Sequence, residues 1–159
     1  MNNPIKFGTD GWRATPSTGL SNKNIMICAQ AFSDYINKNI SSTKEILVGY
    51  DTRKNSYNYA KISAQVIKSN EIDVKLTSVP TPTPICSHHV KNSLKSAGVI
   101  ITASHNSKEW NGFKVRSSTG MSLKDNETKE IEQRINFLTN NESRIKFDNK
   151  IHVEEINII

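Results

Sequence analysis

The sequence predicts an α/β fold: a three-layer α/β/α domain with a mixed sheet of about four main strands and crossover helices. Strand patterns alternate along the chain with amphipathic segments long enough for helices, which is typical of layered α/β domains. Polar turns follow three of the predicted strands, as expected at the ligand-binding edge of such a sheet. The length of 159 residues suits one domain, because a chain of this size buries roughly 68–70% of its unfolded surface.

The first half of the chain contains two strand–helix units. The segment "IKFGTDGWRA" (residues 5–14) begins with an apolar alternation and then meets two glycines, which indicates a strand or hairpin with tight backbone. Ser21 is placed to cap a helix whose apolar residues follow the helical period. The apolar run "EILVGYD" (residues 45–51) predicts a strand, and Ser56 is a candidate cap for the second helix.

The second half continues the same alternation. Further strands are predicted at residues 73–79, 97–103 and 112–115. The first of them is stopped by "PTPTP", and Pro84 suits the first turn of a third helix reaching about Lys95. Asp125 or Asn126 is expected to cap a last helix. Residues 1–139 are therefore assigned to one domain, and the polar residues 140–159 to a linker and the start of a further domain.

Charge, cysteine content and hydropathy narrow the class of protein. The net charge of +6 raises nucleic acid as a partner, but the basic residues are scattered and no basic run is interleaved with aromatic residues. A basic balance equally suits an anionic small substrate. No apolar run approaches the roughly 20 residues that cross a bilayer, and the N-terminus lacks a signal-peptide pattern. We expect a cytoplasmic protein without nucleic-acid or membrane partners, with Cys28 and Cys86 as reduced thiols.

The segment "TASHNSKEWNGFK" (residues 102–114) is the strongest candidate for chemistry. A serine next to a histidine suggests a hydrolase, but consecutive residues in an extended segment point to opposite faces, and no Gly-x-Ser-x-Gly elbow surrounds Ser104. His105 is therefore poorly placed to activate Ser104. A phosphorylated Ser104 fits better, because a phosphate of about −1.5 to −2 charge needs donors and several follow it.

The candidate donors come from three polar turns. Lys114, His105 and Asn106 are local, whereas Arg13 and Arg53 would arrive from other turns. Arginine offers a planar fork for phosphate oxygens, and lysine offers a point charge that can also carry a proton. On spacing alone, Arg53 could equally brace its own turn, and Lys114 could be a solvated strand residue.

Four short sequences now point to a family. In order, they are "FGTDGWR" (residues 7–13), "GYDTR" (49–53), "TPTP" (81–84), and "TASHN" (102–106) followed by "NGFK" (111–114). Each is weak alone, but together they closely resemble the N-terminal domain (domain I) of the α-D-phosphohexomutase superfamily, the phosphoglucomutases and phosphomannomutases. The resemblance covers roughly residues 5–138.

The resemblance implies reversible transfer of phosphate between the 1- and 6-positions of a hexose, with hexose 1,6-bisphosphate as intermediate and activator. The matched residues would be the phosphoserine Ser104, the catalytic Lys114, Arg13 and His105, and the phosphate-binding Arg13, Ser104, Asn106, Lys114 and Arg53. The phosphate on Ser104 would also give one oxygen ligand to Mg²⁺. The family usually has proline after Ser-His-Asn; Ser107 stands there in this chain, which we expect to loosen the loop slightly.

The same resemblance indicates what lies elsewhere. The family binds its metal with an Asp-x-Asp-x-Asp type loop in the second domain, and no Asp-x-Asp occurs here. Residues 1–139 would be domain I with the phosphoserine loop, and residues 140–159 the linker and start of a missing second domain. We expect this chain alone to lack meaningful mutase turnover. Its partners would be hexose phosphates and the missing C-terminal domains, and surface exposed without those domains would favour self-association. Two alternatives stay open: a short non-catalytic protein that binds sugar phosphates or a partner, and a nucleic-acid-binding domain.

Overall fold

The computed structural model describes residues 3–159, which form six strands and four α-helices. The strands are β1 (Trp12–Ala14), β2 (Glu45–Tyr50), β3 (Asp73–Thr77), β4 (Ala97–Ile101), β5 (Asn111–Ser117) and β6 (Glu154–Ile156). The α-helices are α1 (Asn22–Asn39), α2 (Ser56–Ser69), α3 (Thr83–Asn92) and α4 (Asp125–Thr139). Short 3₁₀ turns lie at Pro16–Thr18 and Glu142–Arg144.

The six strands form one mixed sheet in the order β1-β5-β4-β2-β3-β6. Strand β5 is antiparallel to both of its neighbours, whereas β4, β2, β3 and β6 run parallel to one another. The predicted mixed α/β sheet is confirmed, with six strands instead of about four. The difference lies at the edges, because β1 and β6 are strands of only three residues.

Two apolar cores cover the sheet and give the predicted three layers. Helices α1, α2 and α4 pack on one face over a large core that includes Phe32 and Phe113. Helix α3 packs on the other face over a small core of Leu47, Cys86, Val90 and Ile100. Side chains alternate between faces along a strand, so Lys114 and Arg116 face the α3 side while their neighbours in β5 enter the large core.

Helix starts agree with the sequence in part. Ser21 caps α1 as predicted, since its Oγ accepts a hydrogen bond from the backbone N of Asn24 at 3.2 Å. Ser56 is instead the first residue of α2, and the N-cap is Asn55, which has a left-handed conformation with φ 65°. Ser56 does not cap because it lies one residue inside the helix, where its hydroxyl donates to Asp51 and accepts from Asn111. The predicted cap of α4 is also wrong, because Asp125 is the first helical residue and Lys124 is the N-cap.

The two cysteines are free, as predicted, and both are buried. Cys28 lies in the large core and Cys86 in the small one, so the sheet separates them. Burial raises the pKa of both thiols, that of Cys86 to about 12. Within residues 3–159, no helix combines the length and apolar character needed to cross a membrane.

The tail after α4 contributes to the same sheet. Residues 154–156, predicted as part of a linker or a further domain, form β6 and pair in parallel with β3. Ile156 and Ile158 pack against the small core under α3. Closer to α4, the backbone N of Lys146 donates to Oε1 of Gln30 on α1 at 2.9 Å. Residues 140–159 thus follow the surface of the domain and close one edge of its sheet.

Candidate functional site

The loop between β4 and β5 presents Ser104 at an edge of the sheet. Ser104 is exposed and adopts a left-handed conformation with φ 55°, which is uncommon for a residue other than glycine. Two local hydrogen bonds shape the loop: the N of Ser104 donates to Oγ1 of Thr102 at 2.9 Å, and the N of Asn106 donates to the carbonyl of Ala103 at 3.1 Å. The hydroxyl of Ser104 is therefore displayed by a bent backbone.

Lys114 lies directly behind that hydroxyl. Its Nζ donates to Oγ of Ser104 at 3.0 Å, and its side chain is only 8% exposed because β5 is interior to the sheet. Burial lowers the pKa of Lys114, with the positive charges of Arg116 and Arg13 acting in the same direction and Asp10 opposing them. A buried lysine with a lowered pKa is a better proton donor than a solvated one.

Arg13 and Asn106 complete a polar group beside the serine. Nη1 of Arg13, on β1, donates to Oδ1 of Asn106 at 3.1 Å. Strand β1 is hydrogen-bonded to β5, with Arg13 opposite Gly112, and this pairing brings Arg13 to the same sheet edge as Lys114. Four residues singled out from the sequence thus meet: Ser104, Lys114, Arg13 and Asn106.

Asp10 and Arg116 belong to this group, although sequence reasoning assigned neither a role. Asp10 Oδ2 lies 2.7 Å from Nη2 of Arg13 and 3.2 Å from Nζ of Lys114, and Oδ1 lies 3.2 Å from Nη1 of Arg116. Partial burial would raise the pKa of Asp10, but Lys114 and Arg116 outweigh it, so the pKa lies below its ordinary value. The sequence held a signal for Arg116, because residues 114 and 116 share a face of β5.

Arg53 holds the backbone of the serine loop. Its Nη1 donates to the carbonyls of Ser107 and Trp110 at 2.6 and 3.2 Å, and its Nη2 to those of Ser104 and Asn106 at 2.8 and 2.7 Å. The remaining donor, Nε, binds Oδ2 of Asp51 at 3.0 Å. These contacts use all five N–H groups of a guanidinium. The predicted direct contact of Arg53 with phosphate therefore has no free donor in this arrangement; the residue positions the loop.

A polar network that includes the buried Ser56 and Asn111 anchors Arg53 in turn. Oδ1 of Asp51 accepts from the backbone N of Arg53 at 3.0 Å and from Oγ of Ser56 at 2.7 Å. Oγ of Ser56 accepts from Nδ2 of Asn111 at 2.8 Å, at the start of β5. This network ties the end of β2, the start of α2 and the start of β5 to the serine loop. Sequence reasoning missed it, since its members lie in three separate segments.

His105 lies exposed on the loop next to Ser104. An open depression of about 850 Å³ adjoins Ser104 and Asn106 and continues past Lys54 and Lys108. Its lining also includes the basic Arg53 and the acidic Asp51 and Glu109. The arrangement suits an anionic group at Ser104 with a polar ligand in front of it.

A second depression, of about 400 Å³, lies between α1 and α4, remote in the fold from this loop. Its charged residues Asp34 and Arg134 pair with each other at 2.6 Å, and Arg134 stacks on Phe137. We assign no chemistry to it, because these charges already have partners.

Comparison with known proteins identifies relatives of this chain. The chain matches a family model described as "Phosphoglucomutase/phosphomannomutase, alpha/beta/alpha domain I" over residues 4–142, a range that includes the whole site. A phosphoglucomutase of Staphylococcus haemolyticus (strain JCSC1435) is 36% identical over 139 residues, which are 86% of this chain and 25% of that protein. A glucose 1,6-bisphosphate synthase of Mus musculus is 36% identical over 138 residues, 80% of this chain and 22% of that protein.

A phosphopentomutase of Homo sapiens is 35% identical over 142 residues, 82% of this chain and 23% of that protein. The chain thus spans about a quarter of the length of these curated relatives. Among solved structures, a protein of Thermus thermophilus described as a phosphomannomutase superposes with a TM-score of 0.85 at 24% identity. The match covers 99% of this chain and 34% of that one, and at this identity it shows a shared fold.

Proposed function

The chain belongs to the phosphoglucomutase/phosphomannomutase family as its domain I, and from this premise we propose that it is the phosphoserine-carrying N-terminal domain of a phosphohexomutase. The reaction would interconvert hexose 1-phosphate and hexose 6-phosphate through hexose 1,6-bisphosphate. One observation carries the proposal: the ammonium of the buried Lys114 lies 3.0 Å from the hydroxyl of the exposed, left-handed Ser104. A hydroxyl that only closed a turn would not need a buried cation behind it.

The proposed step is a phosphoryl transfer from Ser104 to a sugar hydroxyl. The hydroxyl oxygen attacks phosphorus, the bond from phosphorus to Oγ breaks, and Lys114 donates a proton to the departing Oγ. The sugar hydroxyl loses its proton to His105 or water. The reverse step returns the other phosphoryl group of the bisphosphate to Ser104. The lowered pKa of Lys114 supports its role as donor, since burial makes the neutral amine easier to form.

Arg13 and Asn106 would hold the oxygens of the transferred group. Phosphoryl transfer depends mainly on positioning and on stabilising negative charge, and a guanidinium offers a fork for two oxygens. Arg13 is hydrogen-bonded to Asn106 at 3.1 Å, so both side chains are already directed to the loop. Arg53 would contribute indirectly, by fixing the backbone that carries Ser104.

Within residues 3–159, a phosphorylated Ser104 is the ligand that we propose for Mg²⁺. Among residues 3–159, no group of three or more His, Cys, Asp or Glu side chains is placed to hold a metal ion. An oxygen of the phosphate on Ser104 would be the one ligand from these residues, and the others would come from elsewhere in the polypeptide. When bound, the ion would neutralise charge on the transferred phosphoryl group.

The remaining sugar contacts and metal ligands of the enzyme would come from further domains. These domains and hexose phosphates are the proposed partners of this chain. Loss of one transition-state arginine slows phosphoryl transfer by about 10³–10⁵-fold, and here the sugar contacts and most metal ligands would be lost together. We therefore expect no meaningful mutase turnover by the chain alone. The cytoplasmic location and the self-association through exposed apolar surface stay predictions.

Incubation of the complete polypeptide with glucose 1,6-bisphosphate, followed by intact mass and peptide mapping, tests the site. The expected result is one phosphoryl group on Ser104, no phosphoryl group in Ser104→Ala, and normal uptake in the loop control Ser107→Ala. Phosphorylation of another serine, with Ser104 unmodified, would contradict the proposal. Replacement of Ser104 by alanine in the complete polypeptide should abolish interconversion of the two hexose phosphates.

The alternative is a domain that binds sugar phosphates or a partner without catalysis. It predicts saturable binding of glucose 6-phosphate with no transfer to Ser104 from the bisphosphate. The buried ammonium behind Ser104 favours the mutase domain over this alternative, because simple anion binding does not need a cation on a serine hydroxyl.

A further inference from the structure

The carboxylate of Asp10 lies among three cations at the candidate site. It contacts Arg13 at 2.7 Å, Lys114 at 3.2 Å and Arg116 at 3.2 Å. The two cations on β5 are almost buried, with 8% and 11% of their side chains exposed. Without Asp10, this face of the sheet would hold three neighbouring positive charges; with it, the group carries a net charge of +2.

The chain places Asp10 there by pressing its turn against β5. Gly8 and Gly11 exchange two backbone hydrogen bonds, at 2.9 and 3.0 Å, and so close a tight turn around residues 9 and 10. Gly11 has φ 88°, and a Cβ on it would lie 2.0 Å from the carbonyl oxygen of Phe113. Only a glycine lets this turn approach the strand that carries Lys114. The contact of Asp10 with Lys114 is thus fixed by backbone geometry.

Asp10 competes with the serine oxygen for the same ammonium. Nζ of Lys114 lies 3.0 Å from Oγ of Ser104 and 3.2 Å from Oδ2 of Asp10, so the two oxygens are no more than about 6 Å apart. Arg13 is shared in a similar way, between Oδ2 of Asp10 and Asn106 on the serine loop. Arg116 differs, because it contacts the opposite carboxylate oxygen, Oδ1.

We propose that Asp10 is an internal counter-ion that takes the place of phosphate while Ser104 is unmodified. When a phosphoryl group occupies the site, Lys114 and Arg13 turn from Asp10 to its oxygens, and Arg116 keeps the displaced carboxylate. Asp10, Arg13, Lys114 and Arg116 together carry a net charge of +2, which matches the charge of about −1.5 to −2 on a phosphate. This inference rests on the proposed function, which makes phosphate the ligand. It assigns Asp10 and Arg116 as positioning residues that set how strongly the site holds phosphate.

The test measures binding of inorganic phosphate to the full chain at constant ionic strength, from shifts of the amide resonances of residues 104–106 and 114. Asp10→Asn removes a negative charge that lies no more than about 6 Å from Oγ of Ser104, and is expected to tighten phosphate binding by about fivefold or more. Arg116→Gln is expected to weaken binding by a similar factor, because Asp10 then holds Lys114 and Arg13 more firmly. The matched control Asp34→Asn, at the pair with Arg134 on α4, should leave the affinity within about twofold.

The opposite signs separate this inference from a purely structural ion pair, which predicts similar effects of both substitutions. Equal affinities in wild type, Asp10→Asn and Arg116→Gln overturn the inference, as does the lack of saturable shifts in all three. If phosphate binding follows the inference but Ser104 of the complete polypeptide takes up no phosphoryl group from the bisphosphate, the anion site stands and the mutase proposal falls. If Ser104 is phosphorylated but the affinities do not move, the mutase proposal stands and the role of Asp10 falls.

Discussion

Nη2 of Arg53 donates a hydrogen bond to the carbonyl oxygen of Ser104 at 2.8 Å, across 51 residues of the chain. The same guanidinium also donates to the carbonyls of Asn106, Ser107 and Trp110, so one side chain holds the loop at four backbone positions. A non-glycine residue at φ 55° is held only where its surroundings fix it. Arg53 supplies that restraint at the residue proposed to carry phosphate.

Replacement of Arg53 by lysine should therefore loosen the loop. Lysine keeps the positive charge but has three donors in place of five and no planar fork. In the complete polypeptide, we expect phosphoryl uptake by Ser104 from glucose 1,6-bisphosphate to slow by about tenfold or more, since displacements of about 1 Å have effects of that size. Peptide mapping over time measures the rate, and amide hydrogen exchange measures the opening of residues 104–110.

Arg134→Lys serves as the control for this prediction. Arg134 pairs with Asp34 at the surface between α1 and α4 and is distant from the loop in the fold. It should leave both the rate and the loop exchange unchanged. Unaltered loop exchange in Arg53→Lys would contradict the positioning role of Arg53.

The turn that carries Asp10 gives a second prediction, on stability. An alanine at Gly11 would strain a backbone with φ 88° and place its Cβ 2.0 Å from the carbonyl oxygen of Phe113. We expect Gly11→Ala to lower the free energy of unfolding by about 3 kcal/mol or more. Gly8→Ala is the matched control, because the nearest atom to its added Cβ is 3.8 Å away and its effect should stay within about 1 kcal/mol. Urea unfolding of both variants checks the difference, and equal effects would count against the close packing of the turn on β5.

Acid stability tests the charge on Asp10. Its pKa lies below the ordinary value of 3.8, because Lys114 and Arg116 outweigh the effect of partial burial. A carboxyl whose pKa is lowered on folding stabilises the folded state above its unfolded pKa, and loses that contribution as the pH falls through the folded pKa. Asp10→Asn should thus be less stable than wild type at about pH 6, with the gap closing as the pH falls below the ordinary carboxyl pKa of 3.8. Urea midpoints across this range measure the gap; a constant gap would contradict the ion pairing.

Local patterns in the sequence were sufficient for most of the fold. The alternation of apolar residues predicted β2 to β5 and the helices, because each of these elements buries a face whose period is visible in the sequence. Ser21 was identified as a cap because capping depends on neighbours in the chain. The Ser56 cap was wrong because Asn55, in a left-handed conformation, takes the cap position and places Ser56 inside the helix.

The candidate site divides in the same way. Ser104, Lys114 and Asn106 lie in one short segment, so their proximity was foreseeable from the sequence. The role of Arg53 was not, since five donors could serve a phosphate or a loop equally well, and only the fold decides. Asp10 lies in the motif "FGTDGWR", but nothing in the sequence was a reason to assign it a role. Its role follows from its contacts with Arg13 on β1 and with Lys114 and Arg116 on β5.

The tail is the part of the fold that composition concealed, and it supports a last prediction. Residues 140–159 are largely polar, yet the backbone N of Ser78 donates to the carbonyl of Ile156 at 2.9 Å, and Ile156 and Ile158 pack on the small core beside Val90.

Partly buried isoleucines lose transfer free energy when truncated to alanine, so Ile156→Ala and Ile158→Ala should each destabilise the chain by about 1–2 kcal/mol. Ile159→Ala, with a residue 72% exposed, should change the stability by less than about 0.5 kcal/mol. Thermal or urea unfolding compares the three variants. Equal stability in all three would mean that β6 does not contribute to this domain, and would favour residues 140–159 as a linker alone.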